Sequence, residues 1–178
     1  MRLRTTLAAV AICSALLLTA CQPRRPAPKP PIPRPPVGVV VTPLAPSAYL
    51  AMAASVDLFE VKSSQLAQSR ASNGQLRAVA AMLLNAHEGT AAQLSYAGRR
   101  LNLLPSATLL PVHQSMLDEL AASANFDATW RRQQVEVHRV AVKLHGDFAT
   151  HGASPTLRPV AASAVRIERA HLDRLRGL

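Results

Sequence analysis

Cysteine is nearly absent from this chain of 178 residues: there are two, Cys13 and Cys21, and none after them. The rest of the chain therefore has no disulfide, thiolate metal ligand or cysteine nucleophile, and its fold must rest on packing alone. Aromatic residues make up only 3% of the sequence, which removes the stacking platform that single-stranded nucleic acid needs. Glycine-rich phosphate loops, Gly-x-Ser-x-Gly elbows and His-Glu-x-x-His zinc motifs are missing, so the commonest hydrolase and nucleotide chemistries have no foothold. Sustained two-residue alternation is also missing, and no turn dipeptide separates apolar runs of strand pattern. Those absences exclude an ordinary sheet and leave an all-α fold.

What is present begins with an address. Arg2 and Arg4 precede an apolar run from Leu7 to Ala20, which ends in Leu18-Thr19-Ala20-Cys21. A helix needs about 20 apolar residues to span a bilayer, and this run falls short of that and ends in small residues. The pattern resembles a lipoprotein signal, which implies cleavage before Cys21 and acylation of that cysteine. Each buried methylene contributes about 0.8 kcal/mol, so a multiply acylated cysteine anchors a domain without a spanning helix. Gln22, where an aspartate would favour retention, implies an outer-membrane lipoprotein facing the periplasm.

Residues 21–46 form the next segment. Ten of the fourteen prolines lie between Pro23 and Pro46, together with four basic residues and no acidic one. Proline fixes φ and removes the backbone donor, so polyproline II is the favoured state and a spacer the simplest use. The basic charge of this tether suits anionic lipid or envelope glycan. From Ser47 onward fourteen basic side chains face ten acidic ones, a mild excess that gives no reason to expect nucleic acid.

The organisation expected is thus a signal peptide at 1–20, a lipidated cysteine and tether at 21–46, and a helical domain at 47–178. Apolar spacing predicts a first helix over about Ser47 to Arg70, with Leu50, Ala54, Leu58, Val61 and Leu66 on its stripe. Ser72-Asn73-Gly74 ends it. A second helix, about Gln75 to Asn102, carries Leu76, Val79, Leu83, His87, Ala91, Leu94 and Leu101. Pro105 and Pro111 mark a long crossover with an amphipathic turn or two around Met116, Leu117 and Leu120. The third helix is expected from Phe126, with Asn125 as N-cap, to Gly152. The fourth is expected from an N-cap at Ser154, with Pro155 at its first position. Two helical hairpins joined by one long crossover make a ferritin-like four-helix bundle.

Chemistry is concentrated where polar residues interrupt the stripes. His87 shares a face with Leu83 and Ala91, and His138 lies between Gln134 and Ala141 with His145 a heptad further on. Glu168 and His171 form a Glu-x-x-His pair, while Asp57 and Glu60 border the first stripe. Each long helix therefore sends an ionisable group inward, and buried ions need partners because stranding one costs several kcal/mol. His113 in the crossover and His151 at the end of the third helix are expected at the surface.

The strings YLAMAASVDLFEVKSSQLA, NAHEGTAAQL, FDATWRRQQVEVH and RIERAHL resemble the bacterial envelope family catalogued as domain of unknown function 4142. The likeness covers nearly all of Ser47 to Leu178 and implies a ferritin-like bundle of unestablished activity. Glu60, His87, Phe126, Asp127, His138 and His171 match recurrent positions of that family, and Trp130 stands where an aromatic recurs. Ala86 departs from it, because an acid commonly precedes the second-helix histidine.

A di-iron centre would need Glu-x-x-His on two helices and further carboxylates, yet Leu84 and Val135 stand three residues before His87 and His138. Glu60, His87, His138, Glu168 and His171 are instead the candidate ligands of one zinc, iron or copper ion. The first expectation is a metal-free network of these residues with no cofactor. It corresponds to a non-enzymatic envelope protein with a structural, interaction or stress-related role; metal binding or oxidative defence is the alternative.

Overall fold

The computed structural model describes residues 43–178. Cys21, the signal segment and nearly all of the tether fall outside the described residues. Five helices follow one another: α1 (Pro46–Arg70), α2 (Gly74–Arg99), α3 (Pro111–Ala122), α4 (Phe126–His151) and α5 (Arg158–Arg176). The main pairings are α1 on α2 and α4 on α5, each pair joined by a short loop and therefore antiparallel. Contacts of α1 with α4 and of α2 with α5 close a ferritin-like four-helix bundle, while α3 lies across α1 and α4.

Local chemistry sets the ends. Asn73 caps α2 by accepting from the backbone N–H groups of Gln75 at 2.8 Å and Leu76 at 3.3 Å. Asn102 takes a left-handed φ of 54°, a conformation asparagine tolerates better than most residues, and Leu103 N–H returns to Gly98 O at 2.9 Å. The second helix therefore stops at Arg99, short of the expected Asn102. At the start of α4, Asp127 accepts from Ser72 N–H at 3.1 Å, Ser72 Oγ at 2.6 Å and Asn73 N–H at 3.0 Å. These bonds, the Ser72 hydroxyl foremost, hold its carboxyl below its usual range and tie the α1–α2 turn to the second hairpin.

Several sequence expectations need correction. The crossover holds a full helix of 12 residues, α3, with a proline in its first turn. Asn125 makes no side-chain cap bond to α4. Ser154 does accept from Leu157 N–H at 3.2 Å, but it closes a preceding turn, and α5 begins at Arg158 with Pro159 tolerated in its first turn. The stripe of α1 is also rotated from the expected one: Leu58, Val61 and Leu66 are only partly buried, whereas Ala53, Val56, Phe59, Glu60, Ser63 and Ala67 face inward. Small and polar side chains on the true inner face disguised it. His113 is buried and 2.7 Å from Ser55 Oγ, because α3 lies against α1; His151 is exposed.

The core is layered. At one end Tyr49, Leu94, Leu144, Phe148, Leu157 and Ala161 pack together, and Tyr49 stacks on Phe148 with ring centroids 3.8 Å apart. At the other end Ala67, Leu76, Leu83, Leu120, Trp130 and Leu175 form a second cluster. Between these clusters the long helices bury Asp57 and Glu60, His87 and Thr90, His138, and Glu168 and His171, beside a smaller apolar cluster of Val56, Phe59, Val137 and Ala141. The bundle thus sandwiches a polar layer between two apolar plugs.

Candidate metal centre

Three helices build the centre of that layer. His87 comes from α2, His138 from α4, and Glu168 with His171 from one turn of α5, and one ligand atom from each lies within 4.8 Å of the others. The three imidazole centroids stand at the corners of a nearly equilateral triangle, 5.5 Å for His87–His138, 5.4 Å for His87–His171 and 5.5 Å for His138–His171.

Outer contacts orient the rings. His87 Nδ1–H donates to Asp57 Oδ1 at 3.0 Å, and Thr90 Oγ1 donates to the same oxygen at 2.6 Å. His138 Nδ1–H donates to the Gln134 carbonyl at 2.9 Å. In the neutral ring each arrangement puts the Nε2 lone pair toward the interior, as the outer partners of metal-bound histidine do. Tyr49 Oη and His145 Nδ1 share a hydrogen bond at 2.9 Å, and His145 Nε2 lies 3.9 Å from Glu168 Oε1.

The inward atoms have no hydrogen-bond partners among the described residues. His87 Nε2, His138 Nε2, His171 Nδ1 and Glu168 Oε2 are all buried and unsatisfied. His138 Nε2 and Glu168 Oε2 approach to 3.6 Å, beyond hydrogen-bond length, so proximity satisfies neither atom. Burial lowers His138 to about 3 and His171 to about 4, with the neighbouring His87 adding to both shifts, while burial raises Glu168 to about 7. Burial would lower His87 as well, but the hydrogen bond to Asp57 and the nearby Glu168 and Glu60 outweigh it and raise the group to about 9.

Four of the five candidate residues therefore converge. Glu60 stands apart: its Oε1 is 3.5 Å from the outward-facing Nδ1 of His138, neither carboxyl oxygen makes a hydrogen bond of ordinary geometry, and burial raises it to about 8 against the lowering pull of His87 and the nearby Gln134 amide. The amide of Gln134 is committed to Ser63 Oγ at 3.0 Å. Residues that sequence reasoning left out of the candidate set are Asp57, Thr90, Tyr49, His145 and Gln134. Thr90, three after His87, and Gln134, four before His138, carry a helical-spacing signal; the Tyr49–His145 bond, across 96 residues, carries none. The acid paired with His87 comes from α1 and not from position 86, so Ala86 leaves the pair intact.

The architecture is shared with solved structures. CopM in its Cu(II)-bound form superposes with a TM-score of 0.65 at 18% identity, covering 76% of this chain and 96% of that one. The apo form of CopM gives 0.61 at 17% identity, covering 75% and 95%. A DUF305 fragment from Deinococcus radiodurans gives 0.65 at 13% identity, covering 74% and 93%. At these identities the likeness establishes the fold alone. No functionally curated protein matches the chain. The family profile described as "Domain of unknown function (DUF4142)" matches residues 41–178, and the chain belongs to that family.

Proposed function

We propose that this bundle is a metal-binding protein of the cell envelope that holds one divalent ion between His87, His138, Glu168 and His171. The observation that carries the reading is four buried residues whose ligand atoms lie within 4.8 Å of one another, each with an unpartnered polar atom. An ion bound by three imidazoles at about 2.0–2.1 Å places ring centroids about 5.2–5.5 Å apart, for tetrahedral or flatter arrangements. The triangle of 5.4–5.5 Å matches that spacing. Edge-to-face ring packing gives similar distances, but packing alone leaves four polar atoms stranded, each at a cost of about 1–3 kcal/mol. A metal-free network is less well supported, since it needs Glu60 and Glu168 to accept from imidazoles and neither Glu60 nor Glu168 Oε2 accepts any bond.

The donor set narrows the ion. Three nitrogens and one carboxylate oxygen suit zinc, copper(II) or iron(II), and the absence of sulfur from the set disfavours copper(I) and silver(I). CopM is described in Cu(II)-, Cu(I)- and silver-bound forms; on donor chemistry this chain takes the divalent subset. Apolar plugs on both sides and a tether expected to end in acylated Cys21 fit a protein that holds metal at the envelope rather than one that turns over a large substrate.

Titration of metal-stripped protein with zinc, copper(II) and silver(I), followed by thermal melts, tests this. A ligand that binds only the folded state raises the midpoint by mass action. Zinc or copper(II) should raise it, silver should not, and His87→Ala should abolish the gain. Equal midpoints with and without divalent metal would refute the reading.

A further inference from the structure

The centre is buried, yet one cleft leads toward it. Tyr49, Asp57, Thr90 and His145 line a space of about 10 Å³ together with Gln93 and Val160, room for roughly one water or one desolvated ion. Leu94 and Ala164 complete a largely apolar wall, and two of its polar lining groups adjoin the metal centre: Asp57 bonds His87 at 3.0 Å, and His145 Nε2 is 3.9 Å from Glu168 Oε1. Gln93 and Val160 also line a larger surface groove of about 440 Å³, whose rim carries Tyr96 and Arg100. Gln93 and Arg100 are exposed and Val160 is half-buried, so the same two side chains, Gln93 and Val160, border both spaces.

We propose that this gap between α2 and α5 is the ion's portal, with Asp57 and His145 as transient ligands between solvent and the four-donor centre. The inference rests on the metal reading above and adds a route to it. A cation crossing an apolar wall unaided would lose its hydration with nothing in return. Here each stage offers a replacement: the Gln93 amide at the shared border, then the Asp57 carboxylate, then the His145 imidazole beside Glu168. Arg100 is the one like-charged group on the rim, and it sits where its field opposes arrival. Tyr49 and Thr90 act as positioning residues, because the Tyr49 oxygen pairs with His145 Nδ1, accepting from Nδ1–H in the tautomer whose Nε2 lone pair is free for an ion, and Thr90 holds the Asp57 carboxylate.

Loading rates test the portal separately from affinity. Full-length protein is purified in detergent and stripped of metal, and zinc uptake is followed by stopped flow with a zinc-sensitive dye. Gln93→Trp, at an exposed position, should slow uptake and release by roughly tenfold or more while equilibrium occupancy stays at the wild-type value. Arg100→Glu should speed uptake several-fold at low salt, and high salt should erase the gain. Wild-type rates in both variants, with full occupancy, would overturn the portal and leave the metal site standing. Failure of wild-type protein to take up zinc at any concentration would overturn both.

Discussion

Asp57 on α1 accepts a hydrogen bond from Nδ1 of His87 on α2 at 3.0 Å, with Thr90 holding the same oxygen from the other side. That bond decides which nitrogen faces the centre. Replacing Asp57 with alanine frees the ring to turn and lowers its basicity, and loss of such an outer partner costs about 10–100-fold in metal affinity. Calorimetric titration of Asp57→Ala with zinc should show that loss while the helical circular-dichroism signal is retained. Affinity equal to wild type would remove Asp57 from the site.

Glu60 supplies the contrasting case. Its buried oxygens have no partner and it lies outside the four-donor group. Replacing an unsatisfied buried carboxyl by an apolar side chain of similar size is often stabilising, here by about 1–3 kcal/mol. Denaturant melts of metal-stripped Glu60→Leu should show that gain, with zinc affinity within a few-fold of wild type. A large loss of affinity would make Glu60 a ligand.

The metal-stripped protein should be most stable near pH 6.5. Burial holds His138 near 3 and His145 and His171 near 4, from an ordinary 6.5. The unfolded chain therefore gains protons first as pH falls below 6.5, and stability drops on the acid side. Glu60 and Glu168 move the other way, from 4.5 to about 8 and 7; they stay protonated in the fold after the unfolded chain has ionised, so they lower stability as pH rises from 4.5. Between 4.5 and 6.5 the three imidazoles outweigh the two carboxyls. Above 6.5 the carboxyl loss continues to about 8, and the stability carried by protonated His87, raised to about 9, is lost as pH rises through that value. Bound metal displaces protons from His87 and Glu168, so the midpoint gain from zinc should grow between pH 6 and pH 9. Melts across that range, with and without zinc, check both trends, and a stripped protein that gains stability steadily up to pH 9 would contradict them.

The anchor is tested at Cys21. Cys21→Ser should abolish incorporation of labelled fatty acid and release the protein from the membrane fraction. Wild-type protein that takes up no label and fractionates as soluble would rule out the lipoprotein reading.

The bundle was legible in the sequence because apolar spacing and punctuation agree over α2 and α4, where Leu76, Val79, Leu83, Phe126, Trp130 and Phe148 are all buried. Periodicity misled on α1, where the inward Val56 and Phe59 are outnumbered by Ala53, Asp57, Glu60, Ser63 and Ala67, so that the inner face reads much like a solvated one. It failed again for α3, since two prolines in the crossover suggested turns while one of them sits in the helix's first turn. The ligand candidates were legible because inward histidines stand out among leucines. Glu60 could not be separated from the four converging residues, because helical spacing gives a face but not which partner helix a side chain reaches. Nor could the Asp57–His87 and Tyr49–His145 contacts be read, since they join α1 to α2 and to α4.

X-ray absorption at the metal edge of zinc-loaded protein tests the central claim most directly. One ion per chain held by His87, His138, Glu168 and His171 predicts a first shell of nitrogen and oxygen at about 2.0–2.1 Å. Imidazole outer-shell scattering should fit about three rings and no sulfur, and should fall by about one ring in His171→Ala. A first shell of oxygen alone, without imidazole scattering and unchanged in His171→Ala, would mean a hydrated surface ion and would contradict the account.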